Sequence, residues 1–284
     1  MIAELSHRVA ERLPGEPRSL RPYFNTVYYL LNRRNTTEVV ETEYGFEMEV
    51  DKSDFVQRRH ITRAGIEEGL ITFFYTKLRE GEWNGDFVDI GACVGFHSLL
   101  FCEHGEGDVH AFEPLSYNVE KMRKNMRLNG YTDFNIYEYG LSSDRFVDNI
   151  YYYPYNRGDG SSIPNKKYGS FLRKSERAEF EKLDDEDGLS DTVDLVKIDV
   201  EGHELDVLRG GRRTITRQKP DLLMEIHPSQ LEERNQTVHQ LLSLVFELGY
   251  NRIYLVEEGV ELTREEAIAS VERVTNNHSI WCEF

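Results

Sequence analysis

The chain has 284 residues, which is enough for one large α/β domain with an N-terminal elaboration. Its 34 Lys and Arg residues against 51 Asp and Glu residues give a net charge of -17, which disfavours DNA, RNA and anionic membranes as partners because these are themselves negative. Acidic runs such as Asp184–Asp187 are typical of proteins that stay soluble in high salt. We therefore hypothesise that this is an acidic protein of halophilic type.

The cysteines and the N-terminus indicate the compartment. Cys93, Cys102 and Cys282 are odd in number and form no C-x-x-C pair, which argues against a disulfide framework and a structural zinc site. Residues 1–14 contain no uninterrupted apolar segment, so no signal peptide is predicted. No apolar run is long enough to cross a bilayer. We expect a cytoplasmic protein without a membrane span.

Residues 1–84 are predicted to form an N-terminal cap of helices and a hairpin. Ser19–Arg34 has the apolar spacing of a helix, and so has Gly65–Leu78. Between them, Val39–Val50 has the pattern of a hairpin that turns near Tyr44 and Gly45.

From residue 85 onward, short apolar runs alternate with helical segments. The runs are FVDIG at 87–91, DVHAFEP at 108–114, FNIYEYG at 134–140, DLVKIDV at 194–200, DLLMEIH at 221–227, RIYLV at 252–256 and SIWCEF at 279–284. This alternation predicts an α/β fold over residues 85–284, doubly wound, with a mainly parallel, seven-stranded Rossmann-like sheet. The segment 148–191 is too polar for the core and is predicted to be a long insertion.

The first strand leads into a glycine turn that opens a helix. In such a turn backbone N–H groups can face an anion, with Gly91 allowing the tight turn and Gly95 a close approach of helix and ligand. Ala92 lies between them. The G-x-x-x-G spacing lacks the G-x-G-x-x-G of a pyrophosphate site. It favours a ligand without a pyrophosphate, such as S-adenosylmethionine.

Two further strand ends are candidate contacts for this cofactor. Glu113, followed by Pro114, lies about 20 residues after the glycine turn, where a carboxylate can accept hydrogen bonds from ribose hydroxyls. Asp89 could take the methionine ammonium, or alternatively fix the turn. Gly140 and Leu141 after the third strand offer a turn against which adenine could lie.

The fourth and fifth strands carry charge where a core is expected. With a period of two residues, Lys197, Asp199 and Glu201 project to one face, so Lys197 is either an ion-pair partner of site carboxylates or part of a structural salt bridge. Asp199 lies at the carboxyl end, where a cofactor or acceptor is expected. His227 follows the fifth strand and is a general-base candidate, although most isolated histidines are structural.

Several motifs occur together in order. They are FVDIGACVGFHSL, AFEP, the GLSS turn, VKIDVEGHELDVLRGG and PDLLMEIHP. Over roughly Gly65–Pro228 the chain resembles the FkbM family, a branch of the class I S-adenosylmethionine-dependent methyltransferases. The family commonly has Asn at the position of Cys93. The resemblance implies methyl transfer to a hydroxyl oxygen, with a small molecule or a glycan as the acceptor.

Two ways of activating that hydroxyl remain open. His227, Asp199 and Glu201 are the candidates for a base that removes its proton, with His227 first because an unperturbed imidazole titrates closest to neutrality. Asp199 and Glu225 could instead bind a divalent cation that lowers the acceptor's pKa, as similarly placed acids do in catechol-type methyltransferases.

The insertion 148–191 is a candidate acceptor-binding region. It combines Tyr151, Tyr152, Tyr153, Tyr155 and Tyr168 with short polar residues and glycines, which suits a sugar, and Arg157 could pair with an acidic sugar. The alternative is a solvated loop whose tyrosines pack on the domain edge.

Three other functions compete. A nicotinamide-dependent oxidoreductase would use the same strand and turn, but the G-x-G-x-x-G is missing. A nucleic-acid methyltransferase is opposed by the charge. A non-catalytic nucleotide-binding module stays open as an alternative because fold alone does not set function. The sequence contains no indication of the oligomeric state.

Overall fold

A computed structural model of the protein describes residues 37–54, 56–57, 68–132, 134–162, 172–269 and 277–284. The helix predicted at Ser19–Arg34 lies outside these residues, as do the first residues of the helix predicted at Gly65–Leu78. Within the described part of the chain, no helix is long and apolar enough to cross a membrane.

The strands and helices are numbered in chain order. The strands are β1 Thr37–Glu41, β2 Glu47–Asp51, β3 Asp86–Ile90, β4 Val109–Phe112, β5 Asn135–Tyr137, β6 Gly140–Leu141, β7 Phe146–Tyr153, β8 Asn156–Ser161, β9 Lys174–Glu181, β10 Val193–Ile198, β11 Asp221–Ile226, β12 Arg252–Leu255, β13 Val260–Thr263 and β14 His278–Glu283. The α-helices are α1 Glu68–Glu80, α2 Phe96–His104, α3 Ser116–Leu128, α4 Glu204–Gly210, α5 Arg212–Gln218, α6 Pro228–Glu233, α7 Val238–Glu247 and α8 Arg264–Ala269, with a short 3-10 helix at Leu183–Asp185.

The hairpin predicted before the main sheet is confirmed. Strands β1 and β2 pair antiparallel, and Gly45 between them has a φ of 93°, a left-handed conformation that favours glycine. Helix α1 then buries Leu70, Phe74 and Leu78, which lie four residues apart on one face. The ring of Phe74 packs against Phe87 of β3, so the helix covers the main sheet.

The main sheet has the order β13-β12-β14-β11-β10-β3-β4-β5 in the residues described. Pairing is parallel from β11 through β5 and antiparallel where β14, β12 and β13 join the other edge. The α/β architecture is as predicted. The predicted mainly parallel sheet of seven strands is not confirmed, because the sheet is mixed and has eight strands in the described part of the chain. The additional strand, β13, forms a hairpin with β12 and is exposed, so no apolar run marked it in the sequence.

Helices cover both faces of this sheet, which explains why its central strands are buried on both faces. All five residues of β3 are buried. Val88 and Ile90 belong to the core beneath α4 and α7, whereas Phe87 belongs to the core beneath α1 and α2. Each fully buried side chain of this size contributes about 1.5–3 kcal/mol relative to an exposed one.

The predicted insertion forms most of a second sheet, with the order β6-β9-β7-β8. Burial alternates at the end of β9, where Ala178 and Phe180 are buried while Glu179 between them is exposed. They form a small separate core with Leu115 and Ile150. The segment is therefore not a polar interruption. Its average polarity concealed the period of two residues that a half-buried strand requires.

The third strand of the main sheet also ends earlier than predicted. It stops at Tyr137, and the Gly140–Leu141 pair belongs to β6 of the second sheet, where it pairs with β9. A Cβ atom on Gly140 would lie 2.6 Å from the Phe180 ring. Close packing against Phe180 accounts for this glycine.

Arg157 fastens the second sheet to the rest of the molecule. Its Nη1 lies 3.3 Å from Oδ2 of Asp54, and its backbone N–H donates to the same oxygen over 3.2 Å. The guanidinium carbon lies 3.8 Å from the centre of the Tyr117 ring on α3. The Asp54 side chain is 1% exposed and that of Arg157 is 13% exposed. Arg157 is thus engaged within the protein, which argues against the predicted pairing with an acidic sugar.

We predict that Arg157→Ala destabilises the fold. The substitution leaves the buried Asp54 carboxylate without its cation, which costs about 3–5 kcal/mol for a broken buried pair. Chemical denaturation measures this as a loss of unfolding free energy. Arg212→Ala is the control, because Arg212 and its partner Glu247 are each more than half exposed, and its effect is expected within about 0.5 kcal/mol. Equal effects of the two substitutions would show that the Asp54 pair contributes no special stability.

Candidate active site

The glycine turn between β3 and α2 is held against two neighbouring strands. Gly91 and Ala92 donate backbone hydrogen bonds to the carbonyl oxygen of Phe112, over 2.9 and 3.1 Å. Gly91 has a φ of 81° and Gly95 a φ of 85°. A Cβ atom on Gly91 would lie 1.8 Å from the carbonyl oxygen of Asp199. Only glycine can therefore occupy position 91 while β3 and the end of β10 keep their places.

Glu113 lies beside the glycine turn, as the sequence predicts. Its Oε2 accepts from the backbone N–H of Cys93 and its Oε1 from that of Leu115, both over 2.9 Å, and Asn118 donates to Oε1 over 3.2 Å. Burial raises the pKa of the Glu113 carboxyl to about 7 despite these bonds. The Glu113 carboxylate thus links the end of β4 to the turn that follows β3. Pro114 follows it and is partly exposed.

Cys93 occupies the turn in an unusual conformation for its residue type. Its φ of 51° is left-handed, a region that Asn and Gly tolerate better than Cys. Burial, together with the carboxylates of Glu113 and Asp54, raises the pKa of the thiol well above its ordinary value. The thiol therefore stays protonated and does not act as a nucleophile.

Asp89 and Asp199 are joined by Lys197. The Nζ of Lys197 lies 3.6 Å from Oδ1 of Asp89 and 3.6 Å from Oδ2 of Asp199. Asp89 is fully buried and its Oδ2 accepts a 2.7 Å hydrogen bond from Ser98 of α2. Asp199 is partly exposed and faces the carboxyl edge of the sheet. Of the two, Asp199 is the more accessible to a ligand.

His227 lies at the centre of a group of carboxylates. Its Nδ1 is 2.8 Å from Oε1 of Glu204. Its Nε2 is 3.4 Å from Glu225, 3.5 Å from Glu201 and 3.8 Å from Asp199. The imidazole is 1% exposed, so these partners define its surroundings. The structure thus brings together the three predicted catalytic residues, His227, Asp199 and Glu201.

This arrangement shifts several pKa values. Burial by itself lowers the pKa of His227, but the Glu201, Glu204 and Glu225 carboxylates outweigh it and raise that pKa well above the ordinary value. Burial raises the pKa of Asp199, opposed by Lys197. Glu225 moves the other way: burial raises its pKa, but the bond to His227 lowers it overall. The imidazole therefore holds its proton strongly when no other cation is near.

The same residues could hold a divalent cation. Asp199, Glu201 and His227 each offer a ligand atom, and these atoms all lie within 4.8 Å of one another. The sequence suggested Asp199 with Glu225 for such a site. Oxygen and imidazole donors are compatible with Mn²⁺, and carboxylate oxygens with Mg²⁺.

Glu204 was not predicted as a site residue. It is the first residue of α4 and follows Glu201 by three positions in the EGHE segment. The sequence contains one indication of its role, which is an acidic residue in the first turn of a helix directly after a charged strand end. That signal is common at helix N-termini, because acids there are favourable to the helix dipole.

The comparison with known families rests on this same region. The family model described as the methyltransferase FkbM domain matches residues 89–252, which is more than half of the chain. The chain belongs to the FkbM methyltransferase family. The match starts at Asp89 on β3 and extends beyond His227, so it contains all the site residues described above.

Individual FkbM-related and other methyltransferases resemble parts of the chain. Methyltransferase sdnD from Sordaria araneosa is 31% identical over an alignment of 156 positions, which covers 45% of this chain and 60% of sdnD. The crystal structure of methyltransferase FkbM from Methylobacillus flagellatus KT has a TM-score of 0.43 at 17% identity, covering 98% of this chain and 58% of that one. TYW2 from M. jannaschii, in complex with AdoMet, has a TM-score of 0.41 at 13% identity, covering 88% and 86%. The chain thus spans less than two thirds of the first two relatives, and its likeness to the two solved structures is weak.

We predict that Gly91→Ala severely destabilises this FkbM-family protein. A side chain there combines left-handed strain with a clash against the Asp199 backbone, and together these cost about 3 kcal/mol or more. Gly130→Ala is the matched control: its φ is 83°, but no atom lies within 4 Å of the added Cβ, so it loses only about 1–2 kcal/mol. Thermal unfolding of both variants gives the difference. If the two melt together, the contact between Gly91 and Asp199 is not a constraint.

Proposed function

We propose that the protein is an S-adenosylmethionine-dependent methyltransferase that methylates a hydroxyl oxygen of a small molecule or glycan. The observation that carries the proposal is the position of His227. Its ring is held by Glu204 on one side and faces Asp199 on the other, at the sheet edge where the glycine turn also lies. A base and a cofactor-binding turn at one edge suit group transfer to a protic acceptor.

The charge of the site supports this cofactor over a nicotinamide dinucleotide. The side chains nearest the turn include the carboxylates of Asp89, Glu113 and Asp199. S-adenosylmethionine brings a sulfonium and an ammonium, which carboxylates attract, whereas a dinucleotide brings a doubly charged pyrophosphate, which they repel. In a non-catalytic nucleotide-binding module, the buried His227 and the carboxylates around it would have no chemical role.

We assign the cofactor contacts to the residues predicted from the sequence. Glu113 would hold the ribose hydroxyls. The sequence predicted Asp89 for the ammonium, but Asp89 is fully buried, so we assign the ammonium to the partly exposed Asp199. The N–H groups of Gly91 and Ala92 are bound to the Phe112 carbonyl, so the turn would contribute close approach rather than hydrogen bonds. The other residues predicted to bind the cofactor are Gly95, Pro114, Gly140 and Leu141. When bound, the cofactor supplies an electrophilic methyl group.

The protein's own part in the reaction is alignment and proton removal. Displacement at the methyl carbon needs the acceptor oxygen in line at about 3 Å, and holding it there removes much of the barrier. His227 accepts the hydroxyl proton at Nε2, and the carboxylates of Glu201 and Asp199 stabilise the imidazolium that results. A positive charge bound beside the imidazole lowers its pKa, so cofactor binding favours the neutral form that can act as a base.

We propose that the acceptor approaches along the second sheet, within residues 148–191. Tyr151 and Tyr152 are partly exposed and could receive the C–H face of a sugar. Tyr153 and Tyr155 are buried and belong to the fold. Tyr168 lies outside the described residues.

The cofactor assignment predicts a selective ligand response. S-adenosylmethionine should raise the melting temperature, and nicotinamide dinucleotides should not, because only a ligand of the native state stabilises it. Glu113→Ala should weaken S-adenosylmethionine binding by about ten- to a hundredfold, since lost hydrogen bonds to a charged group cost roughly 1.5–3 kcal/mol. Calorimetry on the folded variant measures this. Glu138→Ala, an exposed glutamate, serves as the control. Stabilisation by a nicotinamide cofactor instead would favour the oxidoreductase.

The base assignment predicts a loss of turnover without a loss of cofactor affinity. His227→Ala should lower kcat by about 10²- to 10⁴-fold, the usual contribution of a general base. His239→Ala, an exposed histidine on α7, should leave kcat unchanged. The acceptor can be found by mass spectrometry of glycans and small molecules from cells with and without the gene.

A divalent cation is the competing way of activating the hydroxyl, favoured by the clustering of Asp199, Glu201 and His227. Activity that disappears with a chelator and returns with Mg²⁺ or Mn²⁺ would support it and would remove His227 from the role of base. Activity indifferent to chelation supports the base.

A further inference from the structure

Glu204 reaches His227 because the chain reverses sharply after β10. Glu201 and Gly202 both have left-handed backbones, with φ of 49° and 95°. A Cβ on Gly202 would lie 2.5 Å from the Cβ of Gln230 on α6, so the turn passes close to that helix. Helix α4 starts directly after this turn, and its first residue, Glu204, is fully buried.

One oxygen of Glu204 is fixed from two directions. Its Oε1 lies 2.8 Å from Nδ1 of His227 and accepts the backbone N–H of Gly202 over 2.9 Å. The carboxylate therefore cannot rotate away without losing a hydrogen bond to its own turn. Since an ionised carboxylate only accepts hydrogen bonds, the His227 atom that faces it must carry a proton.

The consequence for His227 is a defined tautomer. With the proton on Nδ1, the lone pair of the neutral ring is on Nε2, the atom that faces Glu201, Glu225 and Asp199 at 3.4–3.8 Å. These three carboxylates are farther from the ring than Glu204, and they approach the other nitrogen. Glu204 thus has a role that none of them shares.

We propose that Glu204 is a positioning residue, which fixes the ring orientation and tautomer of His227 so that Nε2 receives the acceptor proton. This inference rests on the proposed function, since it assigns the group that prepares its base. Glu204 itself contacts neither acceptor nor cofactor.

The proton and electrons of the step balance with Glu204 in this role. The hydroxyl O–H bond breaks, and its proton forms a bond with Nε2. The oxygen's electron pair forms the new bond to the methyl carbon, and the sulfonium leaves as a neutral thioether. Glu204 stabilises the resulting imidazolium by its charge, and the proton then passes from Nε2 to water.

A purely structural function is the alternative, because Glu204 also ties α4 to the residue that follows β11. Asp206→Asn provides a matched control for it. Asp206 lies in the same helix and forms an ion pair with Arg234 at 3.1 Å, without contacting His227. Its substitution weakens the packing of α4 while leaving the imidazole alone.

The experiment measures the His227 tautomer by ¹⁵N NMR of the imidazole and kcat for methyl transfer, in the wild type, Glu204→Met and Asp206→Asn. Spectra are recorded at a pH high enough to deprotonate the ring. We expect the wild type and Asp206→Asn to show the proton on Nδ1. In Glu204→Met, which removes the acceptor oxygen while keeping a side chain of similar length, we expect the Nε2–H form to rise and kcat to fall at least about tenfold at unchanged S-adenosylmethionine affinity.

An unchanged tautomer in folded Glu204→Met overturns the proposal, whatever happens to turnover. So does a fall in kcat that Asp206→Asn reproduces at an equal loss of melting temperature. The NMR result does not depend on catalysis, so it still decides the role of Glu204 if the wild type transfers no methyl group. In that case the proposed function fails separately.

Discussion

The structure depends on the compensation of buried negative charge at the carboxyl edge of the main sheet. Asp89, Asp199, Glu201, Glu204 and Glu225 converge there on Lys197 and His227. Ionised carboxylates taken out of water are costly unless they find cations and hydrogen-bond donors. Carboxylates outnumber basic side chains within this group, so the ring of His227 retains its proton and the group as a whole attracts positive ligands. A cationic cofactor meets that requirement directly.

Rigid elements hold these charges in place. The turn at Gly91 contacts the backbone of Asp199, so β3 and β10 cannot shift relative to each other without a clash. Glu113 fastens the same turn to the end of β4 through the amide of Cys93. The carboxylates and the imidazole therefore keep their distances because the backbone beneath them is close-packed. Such preorganisation is what a group-transfer site needs.

Much of this arrangement follows from local patterns in the sequence. Continuous apolar runs mark strands that are covered on both faces. The period of two residues applies to Lys197 but not to Asp199 and Glu201, because β10 ends at Ile198 and Glu201 lies in a left-handed turn. Glycine positions were informative where the backbone is left-handed, as at Gly91 and Gly95.

Other features could not be read from the sequence, for physical reasons. The second sheet is only partly buried, and six of the eight residues of β9 are polar or charged, which hides the sheet within an apparently polar segment. The sequence predicts that Gly140 ends a strand of the main sheet. Glycine is required there because the ring of Phe180, forty positions later, packs against it. Glu204 depends likewise on His227, a partner distant in sequence. Contacts between distant residues leave no local pattern.

The two ends of the segment that forms most of the second sheet lie next to each other. Phe146 at the start of β7 pairs with Phe180 near the end of β9, and their rings stack with centroids 4.6 Å apart. The polypeptide thus leaves and rejoins the main scaffold at adjacent points. Segments of different length and content can be exchanged between these points without stretching the sheet that bears the charged residues.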